Sequence, residues 1–173
     1  MAFAPKGDRL TRDDLSGLFN EYYSRLFNYL YYRTLNRAVS EDLVSQVMLN
    51  IVRHYESYDG SKGNLDQWVF RIARNTFFSY LRQHKEETDI ETVPQNFVAY
   101  DDEGLDTIGD EGIQIREYLK VLDDDERELV YLKYWEELSN KEIGARLNMN
   151  PSTVSTKLWR ATEKMRKLKP KDQ

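Results

Sequence analysis

The sequence predicts an all-α protein of two small helical domains, the second a helix-turn-helix domain, joined by an acidic flexible linker. Three observations carry this prediction. Apolar residues recur at helical spacing through most of residues 12–85 and again from Ile113, with no strand-length alternation between them. From Glu86 to Gly112 the periodicity disappears into acids, a proline and three glycines. The charge is also divided along the chain. Residues 1–86 hold 12 Lys/Arg against 10 Asp/Glu, residues 87–130 hold 3 against 15, and residues 131–173 hold 10 against 5. The formal net charge of −5 therefore conceals an acidic centre between a mildly and a clearly basic segment, which points to separate partners for separate segments.

The elements follow in order. Thr11 and Asp14 make a Thr-x-x-Asp start close to a capping box, and Leu15, Leu18, Phe19, Tyr22, Leu26, Phe27 and Leu30 form the stripe of a first helix. After "LNRAVS", Ser40 is placed to cap a second helix with an apolar face of Leu43, Val44, Val47, Met48, Ile51, Val52 and Tyr55. "YDGSKGN" from Tyr58 to Asn64 reads as a loop. A third helix runs from about Leu65 to Lys85, burying Trp68/Val69, Ile72/Ala73, Thr76/Phe77 and Tyr80/Leu81. Asp123-x-x-Glu126 and Ser139-x-x-Glu142 are capping boxes before "RELVYLKYW" and "IGARL". The expected division is 1–88, 89–112 and 113–173, with the middle segment extended by its own charge.

The composition also excludes functions. With no cysteine, disulfides and thiolate metal sites are ruled out, and a reducing compartment fits. "MAFAPKGDRL" lacks the apolar run of a signal peptide, and no run is long enough to span a membrane, so a soluble, cytoplasmic protein is expected. His54 and His84 stand alone, without a second ligand at metal spacing, and read as surface or packing residues. "DDEGLDTIGDEG" has Leu105 where a calcium loop needs an oxygen ligand. No phosphate-binding, nucleophile-elbow or dinucleotide motif is present, so no cofactor, no metal and no catalytic activity are expected.

Two segments suggest nucleic acid. In residues 138–168, Ser139 caps a short helix ending near Leu147, and Asn150 caps a second with Pro151 at its first position. The inner stripe of that second helix is Val154, Leu158, Ala161, Met165 and Leu168. Its first two turns expose Ser152, Thr153, Ser155, Thr156, Lys157, Trp159 and Arg160, with Lys164 beyond, as a groove-entering helix requires. An ordinary helical hairpin with a basic, solvated tail is the alternative. On the third helix, Arg71, Arg74, Asn75, Phe78, Arg82 and Lys85 form a basic stripe with an aromatic, suited to tracking phosphates and stacking a base of single-stranded nucleic acid. A solvated face with Phe78 buried against a neighbour is the alternative there.

Together, "EDLVSQVMLNIVRHYESYD", "WVFRIARNTFFSYLR" and "LSNKEIGARLNMNPSTVSTKLWRATEKMRK" resemble the blocks of bacterial sigma factors of the extracytoplasmic-function group, over about residues 12–168 and in that family's order. The resemblance implies an alternative sigma factor directing promoter-specific initiation. The second helix would dock on the β′ clamp helices of core RNA polymerase through Asp42, Gln46, Leu49, Asn50 and Arg53. The third helix and the loop before it would open the promoter and hold a flipped −10 base, using Ser61, Lys62, Gly63, Asn64, Arg71, Arg74, Asn75, Phe78 and Arg82. The C-terminal helix would read the −35 duplex. Where relatives usually have "LG" then "GTVKSRL", this chain has "LN" then "STVSTKL", so Ser155 replaces a usual basic residue while Lys157 keeps one. The acidic linker would thread channels of polymerase that bind RNA. Implied partners are core RNA polymerase (β′ clamp helices and β flap), promoter DNA and an anti-sigma factor, with no small-molecule substrate and no membrane insertion. Two other readings are a stand-alone helix-turn-helix regulator, which would bind palindromic DNA without polymerase, and an all-α nucleic-acid-processing enzyme, for which the scattered carboxylates offer no convincing metal site.

Overall fold

The computed structural model describes residue 5 and residues 7–87 and 110–168. Among these, every regular element is helical. α1 is Asp14–Thr34, α2 Arg37–His54, α3 Leu65–Glu87, α4 Asp110–Lys120, α5 Asp124–Tyr134, α6 Asn140–Leu147 and α7 Pro151–Arg166, with a 3-10 turn at Tyr55–Ser57. The linker expectation falls mainly on residues 88–109, outside the described residues. Six of the fifteen acids in the central charge block lie there; the others belong to α3, α4, α5 and the turn before α5.

The chain forms two compact units. The first comprises, of the described residues, those up to 31 together with 37–87; the second comprises 32–36 and 110–168.

In the first unit, α1 buries Leu18, Tyr22, Leu26, Tyr29 and Leu30, α2 buries Leu43, Val44, Val47 and Ile51, and α3 buries Val69, Phe70, Ala73 and Phe77. Phe70 packs edge-on against Tyr29, with centroids 5.3 Å apart. The start of α3 is tied to α1 through Asp66, which takes a bidentate pair from Arg25 at 3.1 and 2.8 Å and the hydroxyl of Tyr22. Burial, then that hydrogen bond, pushes the Tyr22 phenol well above its ordinary range.

Three local expectations are corrected here. Ser40 does not cap α2, which starts three residues earlier at Arg37 and leaves Ser40 buried within it. The chain instead turns at Leu35, which takes a left-handed φ of 52°. Such a conformation costs roughly 1–2 kcal/mol, which the near-complete burial of the Leu35 side chain offsets at roughly 1.5–3 kcal/mol. Val52 belongs to the exposed face of α2 rather than its buried one. Trp68, Ile72, Tyr80 and Leu81 are half-buried, because the packed stripe of α3 is narrower than the paired pattern suggests.

In the second unit, both expected capping boxes form. The Asp123 and Ser139 side chains each accept the amide three residues on, while Glu126 and Glu142 return to the cap amides at 3.0 and 2.8 Å. Four buried charges that the sequence did not single out, Arg33, Arg116, Arg127 and Glu128, lie among the core residues. Arg33 pairs with Glu128 at 3.0 Å, and Arg127 donates to the carbonyls of Arg33 at 3.0 Å and Leu119 at 2.9 Å. Burial pushes the Asp124 carboxyl up, against the pull of Arg33 and Arg127.

The turn between α6 and α7 closes on Gly144. Asn148 adopts a left-handed φ of 54° as the helix cap, and the Met149 amide donates to the Gly144 carbonyl at 2.8 Å. Asn tolerates that conformation nearly as Gly does, which accounts physically for "LN" in place of "LG". A Cβ on Gly144 would stand 2.5 Å from the Met149 carbonyl oxygen, a backbone atom that cannot move without opening the turn. Gly144→Ala is therefore expected to destabilise the second unit by about 1–3 kcal/mol. Thermal melting of the full chain checks this, and an unchanged melting profile would contradict it.

Candidate nucleic-acid interface

α7 is built as a presented helix. Asn150 accepts the Ser152 amide at 3.1 Å and Pro151 occupies the first turn, while Val154, Leu158 and Ala161 are buried. The opposite face carries Ser152, Thr153, Ser155, Thr156, Arg160 and a Trp159 that is 63% exposed. Two hydroxyls are already engaged: Ser152 donates to Asn150 Oδ1 at 3.0 Å and Thr156 to the Ser152 carbonyl at 3.0 Å. Lys157 is half-buried at the edge of the face.

Lys164 is engaged within its own unit. Its Nζ lies 2.7 Å from both oxygens of Glu126, the capping carboxylate of α5, so it ties α7 to α5. Leu168, expected in the inner stripe, is 45% exposed. The stripe thus ends at Met165, one turn short.

The α6 cap is sensitive to acid. The Ser139 hydroxyl and amide hold the Glu142 carboxyl below its ordinary range. A depressed folded-state value means the stabilisation is present above the unfolded glutamate's value and is lost as pH falls through the folded one. Amide exchange at the start of α6 is expected to accelerate on that acidification, and Ser139→Ala should remove most of the pH dependence. Equal pH dependence in both forms would contradict the assignment.

The loop before α3 forms a recess of about 90 Å³ lined by Ser57, Tyr58, Asp59, Lys62, Gly63, Asn64, Trp68 and Arg71. Asp59 organises it, accepting the Ser61 amide at 3.1 Å and hydroxyl at 2.6 Å, with Lys62 Nζ at 3.4 Å; the Ser61 bonds chiefly hold its carboxyl below the usual range. Asn64 caps α3 by accepting the Gln67 amide at 2.8 Å. Tyr58 is buried and packs edge-on against Trp68 at 5.7 Å.

Of the expected −10 set, the structure gathers Lys62, Gly63, Asn64 and Arg71 around the recess; Ser61 is on the same loop but does not line it. Arg71, Asn75 and Arg82 continue as an exposed stripe on α3, and Arg82 contacts the Ser79 hydroxyl at 3.1 Å. Arg74 lies over the ring of a half-buried Phe78 at 4.8 Å, so that ring is less available for stacking than a freely exposed one. Lys85 lies in α3, but its side chain falls outside the described ones. Sequence reasoning missed Tyr58 and Trp68 as recess walls. A tryptophan four residues after a glycine loop was the available signal.

On α2, Asp42, Gln46, Leu49 and Arg53 share an exposed face, with Leu49 55% exposed and Val52 40% exposed beside it. Asn50 turns away from that face, and its Nδ2 donates to Thr76 Oγ1 of α3 at 3.2 Å. Gln46, Asn50 and Asn75 meet in a polar groove of about 310 Å³ between α2 and α3. His54 also lines that groove, while His84 packs on Tyr80 with ring centroids 4.0 Å apart. In the second unit, Tyr118, Leu119, Val130, Tyr134, Trp135 and Met165 line most of an apolar groove of about 270 Å³.

Comparison with known proteins fits this geometry. The family description "Sigma-70 region 2" matches residues 18–87 and "Sigma-70, region 4" matches residues 113–165. The RNA polymerase sigma-E factor of Streptomyces avermitilis is 32% identical over 139 residues, covering 78% of this chain and 75% of the relative. The chain belongs to the sigma-70 family.

Within the family the chain is an alternative sigma factor of the extracytoplasmic-function group, directing promoter-specific transcription. The ECF RNA polymerase sigma factor SigM of Bacillus subtilis is 27% identical over 155 residues, covering 87% of this chain and 92% of the relative. In fold, this sigma factor is similar to RpoE of Bartonella quintana, solved with the anti-sigma factor NepR, at a TM-score of 0.71, 21% identity and coverage of 93% and 99% of the two chains. It is also similar to CnrH, solved with the cytosolic domain of CnrY, at a TM-score of 0.67, 18% identity and coverage of 91% and 88%. The region 2 match takes in α2, α3 and the recess loop, and the region 4 match takes in α5, α6 and nearly all of α7. Sigma factors are DNA-recognition subunits. No described helix of this one is long and apolar enough to cross a membrane.

Proposed function

We propose that this sigma factor grips the promoter in two places once it is seated on polymerase. α7 enters the −35 duplex with Ser152, Thr153, Ser155, Thr156, Trp159 and Arg160, and Lys157 supplies an edge contact. The recess before α3 takes an unpaired −10 base, with Lys62, Asn64 and Arg71 at its rim and the α3 stripe carrying the strand. The observation that carries this reading is the recess itself, a glycine-containing loop with polar and cationic rims and an aromatic wall, continuous with a basic helix face. α2 supplies the docking face for the β′ clamp helices through Asp42, Gln46, Leu49 and Arg53, with Val52 added and Asn50 acting from the groove side. The apolar groove of the second unit suits the β flap. The chain itself carries out no reaction, and the chemistry of initiation belongs to polymerase.

The working division is region 2 over 1–88, a linker over 89–112 whose last three residues already belong to α4, and region 4 over 113–173, in a cytoplasmic protein. Residues 88–109 carry six acids and no Lys or Arg, a composition suited to channels that otherwise hold RNA. An anti-sigma partner is part of the same reading. RpoE and CnrH were each solved with such a protein or with a partner's cytosolic domain, and the exposed Leu49/Val52 pair and the apolar groove are surfaces such a partner could cover.

The test uses a promoter with 2-aminopurine beside the −10 base, whose fluorescence rises on unstacking. Holoenzyme carrying Lys62→Ala with Asn64→Ala is expected to lose about tenfold in opening rate, the equivalent of about 1.4 kcal/mol. Opening at the unaltered rate would contradict the assignment.

A further inference from the structure

The recess loop does not hold its shape alone. The Gly60 amide donates to the carbonyl of Asp8 at 2.7 Å, a backbone bond from the segment preceding α1. Contact is close enough that a Cβ on Gly60 would stand 3.1 Å from Asp8 Cα and 3.3 Å from the Tyr58 hydroxyl. Two residues on, Leu10 is almost fully buried, which fixes the segment in place. The Tyr58 phenol is raised mainly by burial and next by the nearby Asp8 carboxylate, so the same segment borders the buried wall of the recess. Residues 8–10 lie before the region 2 match, which begins at residue 18.

We propose that residues 8–10 form a strap that holds the loop from Tyr58 to Asn64 in the shape that accepts an unpaired base, making Asp8 and Leu10 positioning residues for −10 recognition. This rests on the reading of the recess as the −10 base site. The physical reason is preorganisation. The loop carries two glycines at Gly60 and Gly63, and Asp59, Asn64 and the strap are among its restraints within this unit. A loop fixed before binding loses less conformational freedom when the base enters. Residues 8–10 are not among those assigned to −35 or core contact, so loss of the strap should fall on one contact of the promoter and spare the others.

The experiment compares holoenzymes made with the full chain, a chain lacking residues 1–10, Leu10→Asp, Leu10→Ile, Gly60→Ala and Lys62→Ala with Asn64→Ala. Each is titrated with a forked probe bearing an unpaired −10 strand and, separately, with duplex −35 DNA and with core polymerase. Removal of the strap and Gly60→Ala are expected to weaken forked-probe binding about tenfold, with −35 and core affinities unchanged and Leu10→Ile restoring the full value. If Leu10→Asp also lowers the melting temperature or core affinity, the truncated chain and Gly60→Ala carry the comparison. Strapless forms that bind the fork as tightly as the full chain, while the Lys62/Asn64 variant binds weakly, would overturn the strap and leave the recess reading standing. An unaffected Lys62/Asn64 variant would overturn the recess reading and the strap with it.

Discussion

Leu49→Asp is expected to uncouple the protein from core RNA polymerase without unfolding it. Leu49 is 55% exposed on α2, and Leu43, Val44, Val47 and Ile51 beneath it are fully buried on the other side of the helix. A change on that outer face removes no core contact, so stability should move by no more than about 0.5 kcal/mol. Binding responds differently. An apolar anchor ringed by Asp42, Gln46 and Arg53 has the form of an interface hot spot, whose truncation costs about 2 kcal/mol or more. A carboxylate in its place adds the cost of burying an unpaired charge. A loss of about thirtyfold or more in core affinity is therefore expected, with Val52→Ala giving a smaller loss. Anisotropy titration with core polymerase, alongside thermal melting, reads both quantities. Unchanged core affinity would place the docking surface elsewhere.

The second large effect is expected at α7. Lys157→Ala and Arg160→Ala together should cost holoenzyme about 1–3 kcal/mol in −35 affinity for each residue that contacts a base in bidentate fashion. For each lost phosphate contact, the slope of log affinity against log salt should fall by about one. Titrations with a −35 duplex and a scrambled duplex at several salt concentrations separate the two roles: a base contact changes the preference between them, whereas a phosphate contact weakens both alike. Lys164→Ala is the internal contrast. Because its Nζ is held by Glu126, its removal should appear as lost stability of the α5–α7 contact, with little change in salt slope. Equal effects of all three substitutions on DNA binding would contradict the division of the α7 surface drawn here.

What the sequence made legible was mostly local. Ser139 with Glu142, Asp123 with Glu126, and Asn150 before Pro151 are read within four residues, and each forms as expected, because capping depends on the nearest amides. Ser40 failed as a cap because the burial of Leu35 moves the start of α2, and burial depends on the rest of the fold. Val52, Trp68 and Leu168 sit at the edges of their stripes, where period alone cannot distinguish a covered side chain from an exposed one. Arg33, Arg127 and Glu128 were missed because charged residues are read as surface, yet here Arg33 pairs with Glu128 and Arg127 bonds to nearby carbonyls in the interior. At the candidate sites, the sequence pointed to a loop that forms a recess and to helix faces that are exposed. It could not reveal that Lys164 is taken by a partner 38 residues away, that Asn50 bonds to α3, or that Asp8 reaches Gly60.

Promoter specificity is expected to arise only when this chain is joined to polymerase. Run-off transcription with core RNA polymerase, on DNA carrying the promoter of the protein's own operon, tests it most directly. A transcript of single start site is expected when chain and core are both present, none with either alone, and no sequence-specific footprint by the chain without core. A specific footprint by the chain alone, together with failure to associate with core or direct initiation, would contradict it.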